Sequence, residues 1–371
     1  MPRFTRRNAN TAIRRLTSAV YQIPTDAPES DGTIEWTSTT LVTVEVAAAD
    51  SCGLGYSYTG AGARNIIDEV LAPAVCGRDV MATAAAYDAM VHAVRNVGRP
   101  GLASSAISAV DVAIWDLKAK LLDVSLAALL GPARDRVAAY GSGGFTSYDE
   151  RRLRDQLARW VRDDGCRAVK MKVGRVPDAD LVRVRTARDA IGAGAELFVD
   201  ANGAYDRKQA LRFAELFASL GVTWFEEPVS ADDHDGLRLL RDRAPAGMRD
   251  AVGEYGYDPY YFRRLLGHGA VDVLQADATR CGGVTGFLQA AALADAWNLP
   301  LSAHTAPSLH TPLCCAVGRA LNVEYFYDHA RIERMLFDGA RVVRAGMLEP
   351  DYSRPGLGLE LKREDAARFA A

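Results

Sequence analysis

Three short stretches decide the fold: Ala168-Val169-Lys170-Met171-Lys172-Val173, Glu196-Leu197-Phe198-Val199-Asp200 and Val222-Thr223-Trp224-Phe225-Glu226-Glu227. Each is a brief apolar run, rich in β-branched and aromatic residues, that ends on charge and is followed by a helical stretch. This alternation is the pattern of a parallel sheet with crossover helices. It extends outward in both directions, with further strands expected at Val137–Gly141, Asp250–Glu254, Val271–Ala276, Pro300–His304 and Asn322–Tyr325. Eight such units in under 200 residues predict a closed (β/α) barrel rather than an open sheet.

A charged or polar residue stands at or near the C-terminal end of each run: Ser142, Lys170 with Lys172, Asp200 with Asn202, Glu226, Glu254, Asp277, His304 and Glu324. From Lys172 onward the intervals are 28, 26, 28, 23, 27 and 20 residues, about one βα unit each. Catalytic groups of a barrel converge on that face, so these residues are the candidate site.

Upstream the texture differs. An apolar run at Ala19–Ile23 and the alternation Thr39–Val46 read as strands. Ser105–Leu130 carries Ile107, Val110, Ile114, Leu117 and Leu121 at helical spacing, stopped by Gly131-Pro132. The expected organisation is an α+β domain over residues 1–133, a barrel over 134–330 and a C-terminal segment over 331–371. Pro24–Gly32 and Cys52–Tyr58 read as loops, the first polar and acidic, the second mixing tyrosines, Tyr56 among them, with glycine flexibility.

The 371 residues are 49% apolar and 25% charged, ordinary for a globular enzyme-sized chain. A net charge of −3 argues against a broadly basic nucleic-acid-binding surface. Arg3, Arg6, Arg7, Arg14 and Arg15 precede no apolar run of signal-peptide length, and no stretch is long enough to span a bilayer. The six cysteines form no CxxC pair and read as reduced thiols of a cytoplasmic protein. No membrane or nucleic-acid partner is expected.

The chemistry follows from side-chain type. Lys170 and Lys172 leave one strand on the same side, where each would depress the other's pKa and make a neutral lysine base feasible. Asp200, Glu226 and Glu254 on successive strands would repel one another unless a cation joined them, and hard oxygen ligands point to Mg²⁺ rather than zinc. Alternation could send either Glu226 or Glu227 inward, and spacing favours Glu226. Asp277 could fix the tautomer of His304 and leave its other nitrogen as a base. Glu324 could donate a hydrogen bond if burial raised its pKa. Asn202 could steer a substrate oxygen. The other histidines, His92, His234, His268, His310 and His329, read as structural, although the last two fall near the site.

Taken in order, Lys170-x-Lys172, Asp200-x-Asn202, Glu226-Glu227-Pro228, Gly253-Glu254, Asp277 and His304 resemble the mandelate racemase subgroup of the enolase superfamily. The likeness extends to Ser142, Glu324 and the Ala109–Gly131 helix. It implies an α/β fold, a modified TIM barrel of (β/α)7β type with an α+β capping domain, and a homo-oligomer between dimer and octamer. It also implies abstraction of the proton α to the carboxylate of a small-molecule substrate, giving an enediolate held by Mg²⁺. By resemblance Asp200, Glu226 and Glu254 bind the metal, Lys172 is the base on one face, and His304 with Asp277 serves the other. Lys170 and Ser142 hold the carboxylate and Glu324 bonds its other oxygen. Related subgroups place a lysine beside Asp277, where this chain has Arg280, a poor base.

Two outcomes stay open. A β-hydroxyl on the substrate lets His304 protonate it as a leaving group, giving a 2-keto-3-deoxy acid; without one, proton return gives racemisation. The polar Pro24–Gly32 loop tilts the expectation toward acid-sugar dehydration, with racemisation or epimerisation of a 2-hydroxy acid as the alternative. A non-catalytic barrel would need no paired bases, and a Schiff-base aldolase would leave three carboxylates unexplained.

Overall fold

The computed structural model describes residues 11–371; Arg3, Arg6 and Arg7 lie outside them. Three antiparallel strands, β1 (Arg15–Ser30), β2 (Glu35–Ala48) and β3 (Ser51–Tyr58), form a sheet against which the helix Leu102–Leu121 packs. Eight parallel strands follow: β4 (Val137–Gly143), β5 (Ala168–Lys172), β6 (Glu196–Asp200), β7 (Val222–Glu226), β8 (Arg249–Val252), β9 (Val273–Ala276), β10 (Leu301–Ala303) and β11 (Ala320–Phe326). One helix separates each consecutive pair, and β11 pairs with β4 to close the ring. This is the closed barrel that the alternation predicted, of the (β/α)7β type with an α+β cap that the resemblance implied.

Local chemistry explains the elements. Asp206 caps Arg207–Ser219 through the Lys208 and Gln209 amides, while Gln209 returns the bond. Inside the barrel Tyr140, Phe198, Trp224, Ala251 and Val273 fill the lower layer, with Phe198 stacked on Trp224 at 4.8 Å. The barrel is therefore a plugged core open only at the mouth. After β11 the chain turns back: Met347–Leu348 pairs with β4, Asp116 accepts the Leu54 and Leu357 amides at 2.7 and 2.6 Å, and Gln22 donates to the Phe369 carbonyl.

Two segments differ from the sequence reading. Pro24–Gly32 is mostly strand, because β1 continues to Ser30 with a register shift between Pro24 and Glu29. Proline breaks the ladder by lacking a donor but leaves the chain extended. Nor is the stretch uniformly solvated: Glu29 is buried, and desolvation reinforced by Asp328 pushes its pKa up to about 9.

Cys52–Tyr58, expected as a flexible loop, is strand β3. Its glycines serve close approach rather than flexibility, since a Cβ on Gly53 would overlap the Ala113 carbonyl and one on Gly55 the Ala109 carbonyl. Gly55→Ala is expected to cost about 3 kcal/mol by forcing strand and helix apart. Chemical denaturation checks this; an unchanged midpoint would mean the helix can shift freely.

Candidate active site

Strand register assembles the centre. Lys172 on β5 pairs with Asp200 on β6, and Asp200 with Glu226 on β7, so the three sit at one height around the mouth. Glu254 follows β8 after Gly253, whose φ of 141° lies beyond the range of ordinary side chains and whose Cβ would strike the Gln275 carbonyl. Asp277 and His304 come immediately after Ala276 and Ala303, which are register partners on β9 and β10. Asn202, Glu227, Thr305 and Ala306 all have positive φ at this rim. Such strain concentrates where side-chain placement is over-determined by its surroundings.

Asp200, Glu226 and Glu254 are buried, and each offers an oxygen within 4.8 Å of the others. Glu226 also accepts Trp224 Nε1 at 2.9 Å and Lys170 Nζ at 2.5 Å. Lys170 reaches Glu324 at 2.8 Å, and Lys172 Nζ donates to Asp200 at 2.5 Å. His304 Nδ1 bonds Asp277 at 2.8 Å, while its Nε2 faces Glu254 at 3.2 Å.

The lysines correct one expectation. Burial pulls both ammonium pKa values down, but Glu226 and Glu324 hold Lys170 well above its usual value, and Asp200 likewise raises Lys172. Mutual repulsion of two lysines is outweighed by carboxylates in direct contact. The condition set for Glu324 is also unmet: burial favours its protonation, yet Lys170 and His304 pull its pKa down to about 2. It is an ionised acceptor, taking the Ser142 hydroxyl at 2.5 Å and the Thr305 amide at 3.1 Å. For His304, burial acts downward, but Glu254, Glu324 and Asp277 raise its pKa to about 9. Asp277 is held below the carboxylate range, its desolvation overcome by His304 and then Arg280.

The charges do not balance. Counted as fully ionised, Asp200, Glu226, Glu227, Glu254, Asp277 and Glu324 outnumber Lys170, Lys172, Arg280 and a protonated His304 by two charges, and burial accordingly raises Glu226 above the ordinary carboxylate range. Glu227 Oε1 has no hydrogen-bond partner, and Glu254 Oε2 has only the ion-pair contact with His304 Nε2. Burial, then the Glu254 and Asp200 charges, raise Glu227 well above the ordinary range. A buried all-oxygen donor set with too few cations beside it to keep every carboxylate ionised fits a divalent hard cation.

A cavity of about 330 Å³ opens above this centre between barrel and cap. Lys172, Asn202, Glu254, Arg280 and His304 form its floor, and Asp31, Trp36 and Tyr58 stand on the cap side. Ser142 and Lys170 lie beneath the floor, fully buried. Tyr56 is not at the cavity at all: it is buried and donates to Glu333 at 2.7 Å. Tyr58, two residues on along the same strand face, takes the place expected for it, stacked on His329 with ring centroids 3.4 Å apart. Strand alternation was the signal that could have found Tyr58. Nothing in the sequence marked Trp36, which reaches the cavity through tertiary packing, whereas the position of His329 in the chain already places it near the site, though it reads as structural. His310 is structural, its Nε2 accepting the Ala278 amide and its Nδ1 donating to the Thr305 carbonyl, both at 2.8 Å.

Residues 20–131 match the mandelate racemase / muconate lactonizing enzyme N-terminal domain and residues 152–366 the enolase C-terminal domain-like family. The chain therefore belongs to the mandelate racemase and muconate lactonizing enzyme family of the enolase superfamily. It is 50% identical to a mandelate racemase/muconate lactonizing enzyme-like protein from Rubrobacter xylanophilus, with a TM-score of 0.95 over 97% of this chain and 100% of that one. A racemase from Streptomyces coelicolor, solved with bound magnesium, has 31% identity and a TM-score of 0.91 over 97% of this chain and 100% of that one. Among characterised relatives, the 3,6-anhydro-alpha-L-galactonate cycloisomerase of Streptomyces coelicolor is 32% identical over 96% of this chain and 99% of its own length. The L-talarate/galactarate dehydratase of Salmonella typhimurium is 32% identical over 94% of this chain and 88% of its own. Among the described residues no helix is long and apolar enough to cross a membrane.

Proposed function

We propose that this protein is a Mg²⁺-dependent acid-sugar dehydratase that converts a 2,3-dihydroxy carboxylate into a 2-keto-3-deoxy acid. The observation that carries the reading is a buried triad of carboxylates with oxygens within 4.8 Å of one another, with Lys172 against Asp200 and the His304–Asp277 pair against Glu254. Strands β5 and β10 lie on different sides of the closed ring, so the two proton-transfer groups approach from different directions.

Asp200, Glu226 and Glu254 are the residues that would hold the cation. A bound Mg²⁺ would supply positive charge that stabilises the anion developing on the substrate carboxylate and offsets the Asp200 charge that holds Lys172 protonated. Lys172 then takes the proton from the carbon next to the carboxylate. His304, its tautomer fixed by Asp277, gives a proton to the hydroxyl on the next carbon, which leaves as water. The resulting enol ketonises to the product. Lys170 and Ser142, each bonded to Glu324, set the polar floor beneath the carboxylate. In this reading residues 11–133 build the cap that selects substrates, 134–330 build the catalytic barrel, and 331–371 complete the barrel and return to the cap.

The test is a screen of the protein with Mg²⁺ against acid sugars in D₂O, read for keto acid and for deuterium at the α-carbon. Keto acid is the expected result. Deuterium incorporation with inversion and no keto acid would replace dehydration by racemisation, which uses the same two groups.

A further inference from the structure

The cavity's charge is distributed unevenly. Its cations, Lys172, Arg280 and His304, belong to the barrel floor, and all are already engaged: Lys172 by Asp200 at 2.5 Å, Arg280 by Glu254 at 3.4 Å and Asp277 at 3.6 Å, His304 by Asp277 at 2.8 Å and Glu254 at 3.2 Å. Facing them, the cap contributes Ile34, Trp36, Tyr58 and the hydroxyls of Ser38, Thr39 and Thr40. Among the described residues lining that wall the one charged side chain is Asp31, which is buried and negative. Its Oδ1 accepts the Thr33 and Ile34 amides at 2.6 and 2.8 Å, fixing the β1–β2 turn over the site. Arg331 does not supply the missing cation, since Asp328 and the Pro24 carbonyl take its guanidinium.

Resting on the dehydratase reading, we propose that the substrate class is the monocarboxylate aldonates, with a neutral distal end, and not the dicarboxylate aldarates. One carboxylate is accommodated by the floor. A second, at the far end of a six-carbon chain, would leave water for a wall that offers it an aspartate, aromatic faces and hydroxyls but no cation. A hydroxymethyl or methyl terminus meets the same wall without that cost, donating to Asp31 or the threonines, or packing on Trp36 and Tyr58. A cavity of about 330 Å³ lies near the lower end of small-molecule sites, which suits one sugar acid rather than a glycosylated one. The inference separates this chain from a relative named for two diacids, the L-talarate/galactarate dehydratase.

The experiment compares matched pairs that differ only at the terminal carbon, gluconate with glucarate and galactonate with galactarate, in D₂O with Mg²⁺. Each pair is read for keto acid and α-deuterium, on the wild type and on Ile34→Arg. Ile34 lines the wall yet is 59% exposed, so an arginine there adds a cation without disturbing the core. The expected result is a kcat/KM for an aldonate about 100-fold above its aldarate, the scale of a charge-assisted hydrogen bond denied to a carboxylate. Ile34→Arg is expected to narrow that ratio at least tenfold. Equal or better turnover of an aldarate by the wild type would overturn the proposal and leave the dehydratase reading standing. An unaltered ratio in Ile34→Arg would overturn the wall's charge as the cause. Neither keto acid nor exchange from any acid sugar would overturn the dehydratase reading itself, and this proposal with it.

Discussion

Lys172→Ala is expected to lose both keto-acid formation and α-deuterium exchange, each by about 10³- to 10⁴-fold, whereas His304→Asn loses keto acid by a similar factor and keeps exchange. The asymmetry comes from the order of the steps. Lys172 breaks the C–H bond, so without it nothing follows. His304 acts on the leaving hydroxyl, so without it the carbanion still forms and recaptures a solvent deuteron from the Lys172 side. Asn at position 304 keeps a donor near Asp277 and so avoids stranding a buried carboxylate. Single-turnover measurements by proton NMR check both rates, with circular dichroism to show that each variant is folded. Exchange that survives in Lys172→Ala and vanishes in His304→Asn would reverse the two assignments.

Removing the divalent ion should have an effect as large, and one visible without any substrate. Chelation is expected to abolish turnover. Restoring Mg²⁺ at about 100 times its Kd should stabilise the fold by roughly 2.7 kcal/mol, which for a chain of this size is about 3–4 °C in Tm. The stabilisation arises because the folded site holds buried carboxylates close together, which a cation would let ionise without repulsion. Glu226→Gln removes one cation ligand while burial already disfavours the charged form of Glu226 in the metal-free site. That variant should therefore melt within a few degrees of wild type when metal-free, gain less from Mg²⁺, and bind it at least 10- to 100-fold more weakly. A Glu226→Gln that gains as much from Mg²⁺ as wild type would remove Glu226 from the set of ligands.

The barrel was legible because its signals are local. A strand ending at Asp200 is bounded by its own apolar run, and the recurrence of acids at one βα interval places them on a single face whatever the helices do between. The cap was harder to read. Gly53 and Gly55 look like flexibility until the Ala109 and Ala113 carbonyls are seen lying against them. Tyr56 and Tyr58 share a strand face, and only the position of Glu333 decides that one is buried and the other lines the cavity. The ionisation states were least legible of all. Two neighbouring lysines suggest a depressed pKa, but the sign is set by Asp200, Glu226 and Glu324 on other strands, far away in sequence. Metal ligands could be inferred pairwise from strand ends; the balance of the whole cluster could not.

Strand β3 is held on both of its sides. Its glycines admit the Leu102–Leu121 helix at backbone distance, while Tyr56 reaches Glu333, Ser57 the Thr279 carbonyl at 2.6 Å and Tyr58 the His329 carbonyl at 3.4 Å. A strand fixed in this way has little freedom to change under selection, because nearly every side chain serves two neighbours. The β1–β2 turn and the outer end of β2 carry fewer such obligations, and Ile34 and Thr40 meet the cavity with no side-chain bond to lose. Divergence toward new substrates would then proceed through a few positions on one hairpin, leaving the rest of the cap as inherited scaffolding.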